Sequence, residues 1–293
     1  MPLPLIFVAV LWLHFFWSLV PEWRFGEYYG YGFLVAPLFF ALAARRISAF
    51  PGPKETSDSK ALPWWIWASL ALLLLLLIPL RIIETGDSGW RPPFIIHGLL
   101  VTVISHFVLA RQSGWKASLS LLPVTIFAWS AVPYLWQLEQ GLIRTLTGNV
   151  IALTREIFLL KGHPVEQLGE RLSLGTDVVE VTDGCSGIRS AQSLVMAALF
   201  FGELLWLAWP KRLLLLGGGL LVALVGNTAR AYYLASLQFF HGKPAADAAH
   251  DGAGHFAFAF SAIALYGIAW AMQPRNRGRV VVRQVALSEP PAN

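Results

Sequence analysis

Eight mostly apolar runs recur along the chain, at about 3–20, 31–44, 64–80, 94–110, 118–137, 187–208, 213–237 and 254–272. The hydrocarbon core of a bilayer needs roughly 20 such residues per helical crossing. A chain built from these runs can bury them only in lipid. The second run is short and the third contains Pro79, but the expectation is one fold class: an all-α integral membrane protein with about eight transmembrane helices. A composition of 56% hydrophobic and 13% charged residues agrees with this and excludes an ordinary soluble domain. No stretch long enough for a separate domain is left over, so residues 1–293 read as a single multi-pass domain. The first run has no basic region ahead of it and no small-residue cleavage site behind it, and is expected to be a retained helix.

Orientation follows from the basic residues, because short cytoplasmic loops keep positive charge. With both termini inside, the inner segments hold twelve Lys and Arg, including Arg45, Arg46, Lys211 and Arg212, against three acidic residues. The outer side holds ten basic residues against thirteen acidic ones, and Glu203 falls within a span. The excess of positive charge is therefore a signature of topology and gives no reason to expect nucleic acid as a partner. The tail, 273–293, is expected to be cytoplasmic and solvated.

Residues 138–186 form the longest interruption, on the outer side. In their first half, Leu142, Leu146, Val150, Leu153, Ile157 and Leu160 follow at steps of three and four. That is the pattern of an amphipathic helix on the membrane surface, or of a re-entrant segment. In the second half, Leu172 and Leu174, a Gly175-Thr176-Asp177 turn, and Val179 and Val181 alternate as a small β-hairpin before the sixth helix. Its second strand runs into Cys185, the one cysteine of the chain, between Gly184 and Gly187. Two glycines there permit a tight turn and a close approach of another segment. A thiol near a helix N-terminus and a guanidinium has its pKa lowered and becomes a nucleophile. A structural cysteine at a helix end is the alternative on position alone.

Partners stand at the same expected depth. "VGNTARAYY" puts Asn227 and Arg230 on one helix face at i and i+3. With the seventh helix ending near residue 237, Arg230 lies seven residues in, about 10 Å. An arginine within a membrane usually marks function, or it snorkels to the interface. "AAHDGAGHFAF" opens the eighth helix with His250 and His255. A thiol, a guanidinium and an imidazole thus come to one leaflet from three separate stretches.

"CSGIR" at the start of one helix, "NTAR" near the outer end of the next and "HDGAG" at the head of a third resemble the exosortase and archaeosortase family of multi-pass membrane transpeptidases. The resemblance spans roughly residues 120–272, and "EYYGYGFLVAPLFFALAARR" at 27–46 looks like that family's first hairpin. It implies a membrane-embedded cysteine peptidase or transpeptidase with Cys185, Arg230 and His250 as catalytic residues. Gly254 takes the place of the glycine expected four residues after the histidine, and Gly187, Arg189, Asn227 and His255 stand as supporting or substrate-binding residues. It further implies a bacterial cytoplasmic (inner) membrane location with the active site facing outward. The implied substrates are secreted proteins with a C-terminal tripartite signal: a short motif such as Pro-Glu-Pro, a membrane helix and a basic cluster. Membrane lipid surrounds the enzyme, and an acceptor nucleophile of unknown identity receives the chain. The chemistry needs no cofactor: a thiolate attacks the carbonyl, a cation holds the oxyanion, and an acid protonates the leaving amine.

Plainer readings stand beside these. Arg189 either assists the thiolate or pairs with an acid such as Asp183, and Asp251 either orients His250 or is a helix N-terminal charge. His241, His250, His255 and Cys185 could be offered as metal ligands, but the histidine pair is five apart where a helix wants three or four, so no metal is expected. Glu203 is expected to pair with Lys211 and Arg212. Trp64, Trp65, Trp67, Trp206 and Trp209 read as interfacial anchors, and the 217–219 glycines as close helix packing. The rival functions are a transporter or channel with Arg230 and the histidines lining a polar path, a scaffold indifferent to Cys185, and a hydrolytic protease of the same architecture.

Overall fold

The computed structural model describes residues 3–49, 64–87, 89–169, 171–174, 177–180 and 187–273. Cys185, Gly184, Asp183, Val181, the Gly175-Thr176 turn and the tail from residue 274 lie outside them. The helices are α1 (Leu3–Phe25), α2 (Gly32–Ser48), α3 (Trp64–Leu75), α4 (Leu77–Gly86), α5 (Pro92–Ser113), α6 (Trp115–Ser120), α7 (Leu122–Trp129), α8 (Trp136–Leu160), α9 (Ile188–Leu204), α10 (Trp209–His241) and α11 (Lys243–Ala271). Between α8 and α9 lies an antiparallel sheet of β1 (Glu166–Leu168), β2 (Arg171–Leu174) and β3 (Asp177–Glu180).

Four helices, α1, α5, α10 and α11, are each long and apolar enough to cross a membrane. The other expected spans fall on shorter or interrupted helices. The third divides at Leu76, because Pro79 has no N–H for the Leu75 carbonyl and its ring crowds that group. Pro123 does the same to the fifth, which is α6 and α7 in series, and its helix stops at Trp129 where a span to about 137 was expected. The interrupted pair still runs the length of α2. Arg46 donates to the Ser120 carbonyl (2.9 Å) at one end, and the Tyr31 hydroxyl donates to the Ser130 carbonyl (2.8 Å) at the other.

Named contacts define the two ends of the bundle. At one, Glu203 is buried between Arg212 (2.8 Å) and Arg46 (3.2 Å), Arg45 and Arg46 lie over the Trp206 ring, and Arg45 donates to the Leu204 carbonyl. Glu203 thus pairs with Arg212 as expected, but its second cation is Arg46; Lys211 reaches the Met272 carbonyl instead (2.6 Å). At the opposite end, Glu139 of α8 accepts from Arg91 (2.9 Å) and from the Tyr29 hydroxyl, which itself accepts from the Tyr134 amide. Burial and the Glu139 carboxylate push the Tyr29 phenol far above its ordinary pKa, so it remains a donor.

The cores match this division. Trp12, Phe15, Phe16, Phe39, Phe94 and Phe127 fill the space among α1, α2, α5 and α7. Leu194, Ala198, Leu215 and Leu265 do so among α9, α10 and α11. In the hairpin, Leu172 faces Val179 across the ladder and both are buried against α8 and α10 with Ile151, Phe158 and Ala235. The third strand, β1, was not expected.

Two helices at the site differ in detail from their sequence patterns. Apart from Val150, the stripe read as the membrane side of α8 is not the face that packs on the protein, as a surface helix requires. Ile143, Thr147, Val150, Ile151, Thr154 and Phe158 turn inward, about a quarter-turn away, while Leu142, Leu153 and Leu160 are exposed. The protein side of α8 tolerates threonine, and its leucines are left for lipid. The seventh and eighth spans are also longer than expected. α10 continues to His241, and α11 begins at Lys243, with only Gly242, in a left-handed conformation (φ 82°), between them. Arg230 therefore lies eleven residues from the end of α10, and His250 seven residues inside α11.

Candidate active site

The site is assembled where the start of α9 meets the α10–α11 pair. Gly187 is the N-cap of α9 and takes a left-handed conformation (φ 76°). A β-carbon at this position would lie 2.6 Å from the Asn227 side-chain carbon. Both the backbone angle and the space therefore require glycine. Asn227 is buried on α10. One turn further along the same face, the Arg230 guanidinium reaches across to α11, and its Nη2 donates to His250 Nε2 at 3.0 Å.

Arginine can only donate, so Nε2 is the accepting nitrogen and the proton of the neutral imidazole sits on Nδ1. Gly254, one turn beyond His250, leaves its face of α11 bare beneath the guanidinium. A β-carbon there would be 3.4 Å from Arg230 Cζ, in ordinary contact, and a larger side chain would displace the cation. Four of the residues singled out in sequence thus meet Arg230 or one another: Gly187 with Asn227, and His250 and Gly254 with Arg230. Cys185 lies outside the described residues.

The remaining expected residues fall elsewhere. The side chain of His255 is exposed, on a different face of α11 from His250. Arg189 is exposed and pairs with Glu27 (3.1 Å) on the α1–α2 connection, over the Tyr28 ring. Sequence reading missed this partner, which is far away in the chain. Asp251 is exposed, and His241 stands at the tip of α10. Among the described residues no group of three or more His, Cys, Asp or Glu could hold a metal ion.

A second cluster had no signal in the sequence reading. Glu84 of α4 lies 2.9 Å from His97 Nδ1 on α5, and His97 Nε2 lies 3.3 Å from His14 Nδ1 on α1. Glu84 and His97 are buried, and Arg81 neutralises the carboxylate (3.3 Å). These helices are not the ones that carry Arg230 and His250.

The Arg230–His250 and Gly187–Asn227 contacts join residues from the three short motifs. The family model described as transmembrane exosortase (Exosortase_EpsH) matches residues 23–267. The chain belongs to the transmembrane exosortase family. The match spans the helices that carry Arg230, His250 and Gly254, and also the Arg189–Glu27 pair. It also takes in α2 to α7, where the sequence alone offered little beyond hydropathy. No curated protein and no solved structure matches this chain.

Proposed function

We propose that this exosortase is a cysteine transpeptidase that cleaves a C-terminal sorting signal from secreted proteins at the outer face of the bacterial inner membrane. The observation that carries the reading is the 3.0 Å contact of Arg230 with His250, next to the Gly187–Asn227 junction. Cys185 precedes Gly187 by two residues, a reach of at most about 7 Å. A thiolate there has the positive end of α9 and the Arg230 guanidinium to stabilise it.

As the Arg230 guanidinium turns from His250 Nε2 to the developing oxyanion, the thiol proton passes to Nε2, the sulfur attacks the carbonyl carbon, and the C–N bond breaks as that proton moves to the leaving amine. Arg230 holds the oxyanion. The chain rests on Cys185 as a thioester until an acceptor nucleophile displaces the sulfur and gives its own proton to the imidazole. Exclusion of water by the surrounding lipid favours transfer over hydrolysis. Both termini are assigned to the cytoplasm, because the Arg45, Arg46 and Arg212 cluster lies at the end of the bundle opposite the site.

The test is processing of a secreted reporter with a Pro-Glu-Pro-type signal, co-expressed with the native chain or with Cys185→Ala. Cleavage should be lost in the variant at equal membrane levels. Unchanged cleavage would remove Cys185 as nucleophile.

A further inference from the structure

On the side of the α10–α11 pair away from the rest of the bundle runs a groove of ≈ 860 Å³ that includes Arg230 in its lining. It exists because the two helices approach closely over residues without bulk. A β-carbon on Gly226 would stand 2.5 Å from the Ser261 hydroxyl. Ala229, Ala253 and Ala257 continue this small-residue floor. Val225 and Tyr233 on one helix, and Phe256 and Phe260 on the other, are exposed and form the sides.

The groove is long and straight. From Leu221 to Tyr233 it follows α10 for about 18 Å, and from Ala249 to Ala264 it follows α11 for about 22 Å. That is most of the ~30 Å that a membrane helix spends in hydrocarbon. In lipid, where no hydrophobic force drives helices together, small residues that allow close backbone approach are what make one helix dock on another.

Charge placement selects the occupant. Arg230 is the one charged side chain in the described lining, and it stands toward the outer part of the groove; the inner end, at Leu221 and Ala264, is neutral. A tripartite signal has the complementary order, with its acidic motif outside, its apolar helix across the membrane and its basic cluster beyond the inner end. The groove is also continuous with the Arg230–His250 pair. A helix lying in it would deliver the residues just ahead of it to that pair.

Resting on the reading that this chain processes such signals, we infer that the α10–α11 groove docks the membrane helix of the substrate's sorting signal. Docking is by helix packing on the Gly226, Ala253 and Ala257 floor, with Arg230 meeting the acidic motif.

The experiment is disulfide trapping. The chain has one cysteine, so Cys185→Ala gives a cysteine-free background into which Ala253→Cys or Ala257→Cys is placed, opposite a reporter with single cysteines along its signal helix. Leu13→Cys on α1 and Ile263→Cys on the exposed face of α11 outside the groove serve as controls. Oxidation should yield enzyme–reporter adducts at 253 and 257, with reporter positions spaced three and four apart, and at least tenfold less at 13 and 263. In the Cys185-containing chain, Ala257→Leu should raise the reporter level needed for half-maximal processing by about tenfold. Adducts of equal yield at the controls, enzyme–enzyme adducts at 257 in place of enzyme–reporter ones, or normal processing by Ala257→Leu would each overturn the assignment. Trapping does not require the thiol. If Cys185→Ala still cleaves while the adduct map holds, it is the catalytic reading that fails and not the docking site.

Discussion

Gly187→Ala tests the junction on which the site depends. Two costs can be worked from the geometry. At φ 76° an L-residue carries a left-handed penalty of about 1–2 kcal/mol. Its β-carbon would meet the Asn227 side chain at 2.6–3.0 Å, inside normal contact, and overpacking of this kind costs about 1–3 kcal/mol. Together these come to roughly 2–5 kcal/mol, divided between lost stability and a displaced helix start. Each 1.36 kcal/mol that falls on the transition state is tenfold in rate. The expected outcome is at least a tenfold fall in reporter processing per molecule of enzyme in the membrane, together with a lower melting temperature in detergent. Asn227→Ala removes the two nearest clashing atoms, Cγ at 2.6 Å and Nδ2 at 2.7 Å, but keeps Cβ at 3.0 Å and leaves the backbone angle as it is. The double variant should therefore be less impaired than the two single effects combined, by about 1 kcal/mol or more. Additive effects, or a Gly187→Ala chain that processes and melts like the native one, would refute the packing argument.

Three further outcomes follow. Arg230→Lys keeps the charge but not the planar fork, and processing should fall about a hundredfold while membrane levels hold, as read by reporter cleavage against immunoblot. Glu203→Ala leaves Arg46 and Arg212 buried without their carboxylate, so a loss of about 3–5 kcal/mol is expected, seen as poor accumulation and early melting in detergent. The Arg189–Glu27 pair is exposed and solvent-screened, so Arg189→Gln should change stability by no more than about 1 kcal/mol, with any difference from native vanishing at high salt.

Hydropathy made the helical runs legible, but it read the third as one span through Pro79, ahead of which the helix divides. Leu172 and Val179 were legible as a hairpin because one face of it is buried. β1 was not, since Glu166, Gln167 and Leu168 are all exposed and show no alternation. The helix lengths at the site were misjudged for a related reason. Apolar content reports where lipid is, and Gln238, His241, Lys243 and Asp247 belong to helices that continue beyond it. The α8 stripe was legible as a membrane-facing side, but the inward face of Ile143, Thr147, Ile151 and Thr154 was not, because its threonines break the apolar signal. Glu27 as the partner of Arg189 lies 162 residues away, beyond the reach of any local pattern. Asn227, Arg230, His250 and Gly254 could be singled out because two short motifs carry them. The meeting of Arg230 with His250 and Gly254 depends on the antiparallel pairing of α10 with α11, which no local pattern gives.

That pairing also measures distance. α10 starts at Trp209 and α11 stops at Ala271, side by side at the Lys211–Met272 contact. Arg230 is 21 residues from the first of these ends, and His250 is 21 residues from the second. At 1.5 Å per residue each helix climbs about 31 Å between the two levels, close to the ~30 Å thickness of a bilayer's hydrocarbon. Two legs of equal length thus carry the guanidinium and the imidazole to one height above the Lys211–Met272 end. With that end at one interface, the height of the site is referred to the far leaflet. A bilayer thicker by ~3 Å, about two residues of helix rise, would then draw the pair beneath the headgroups, and a thinner one would lift it into water.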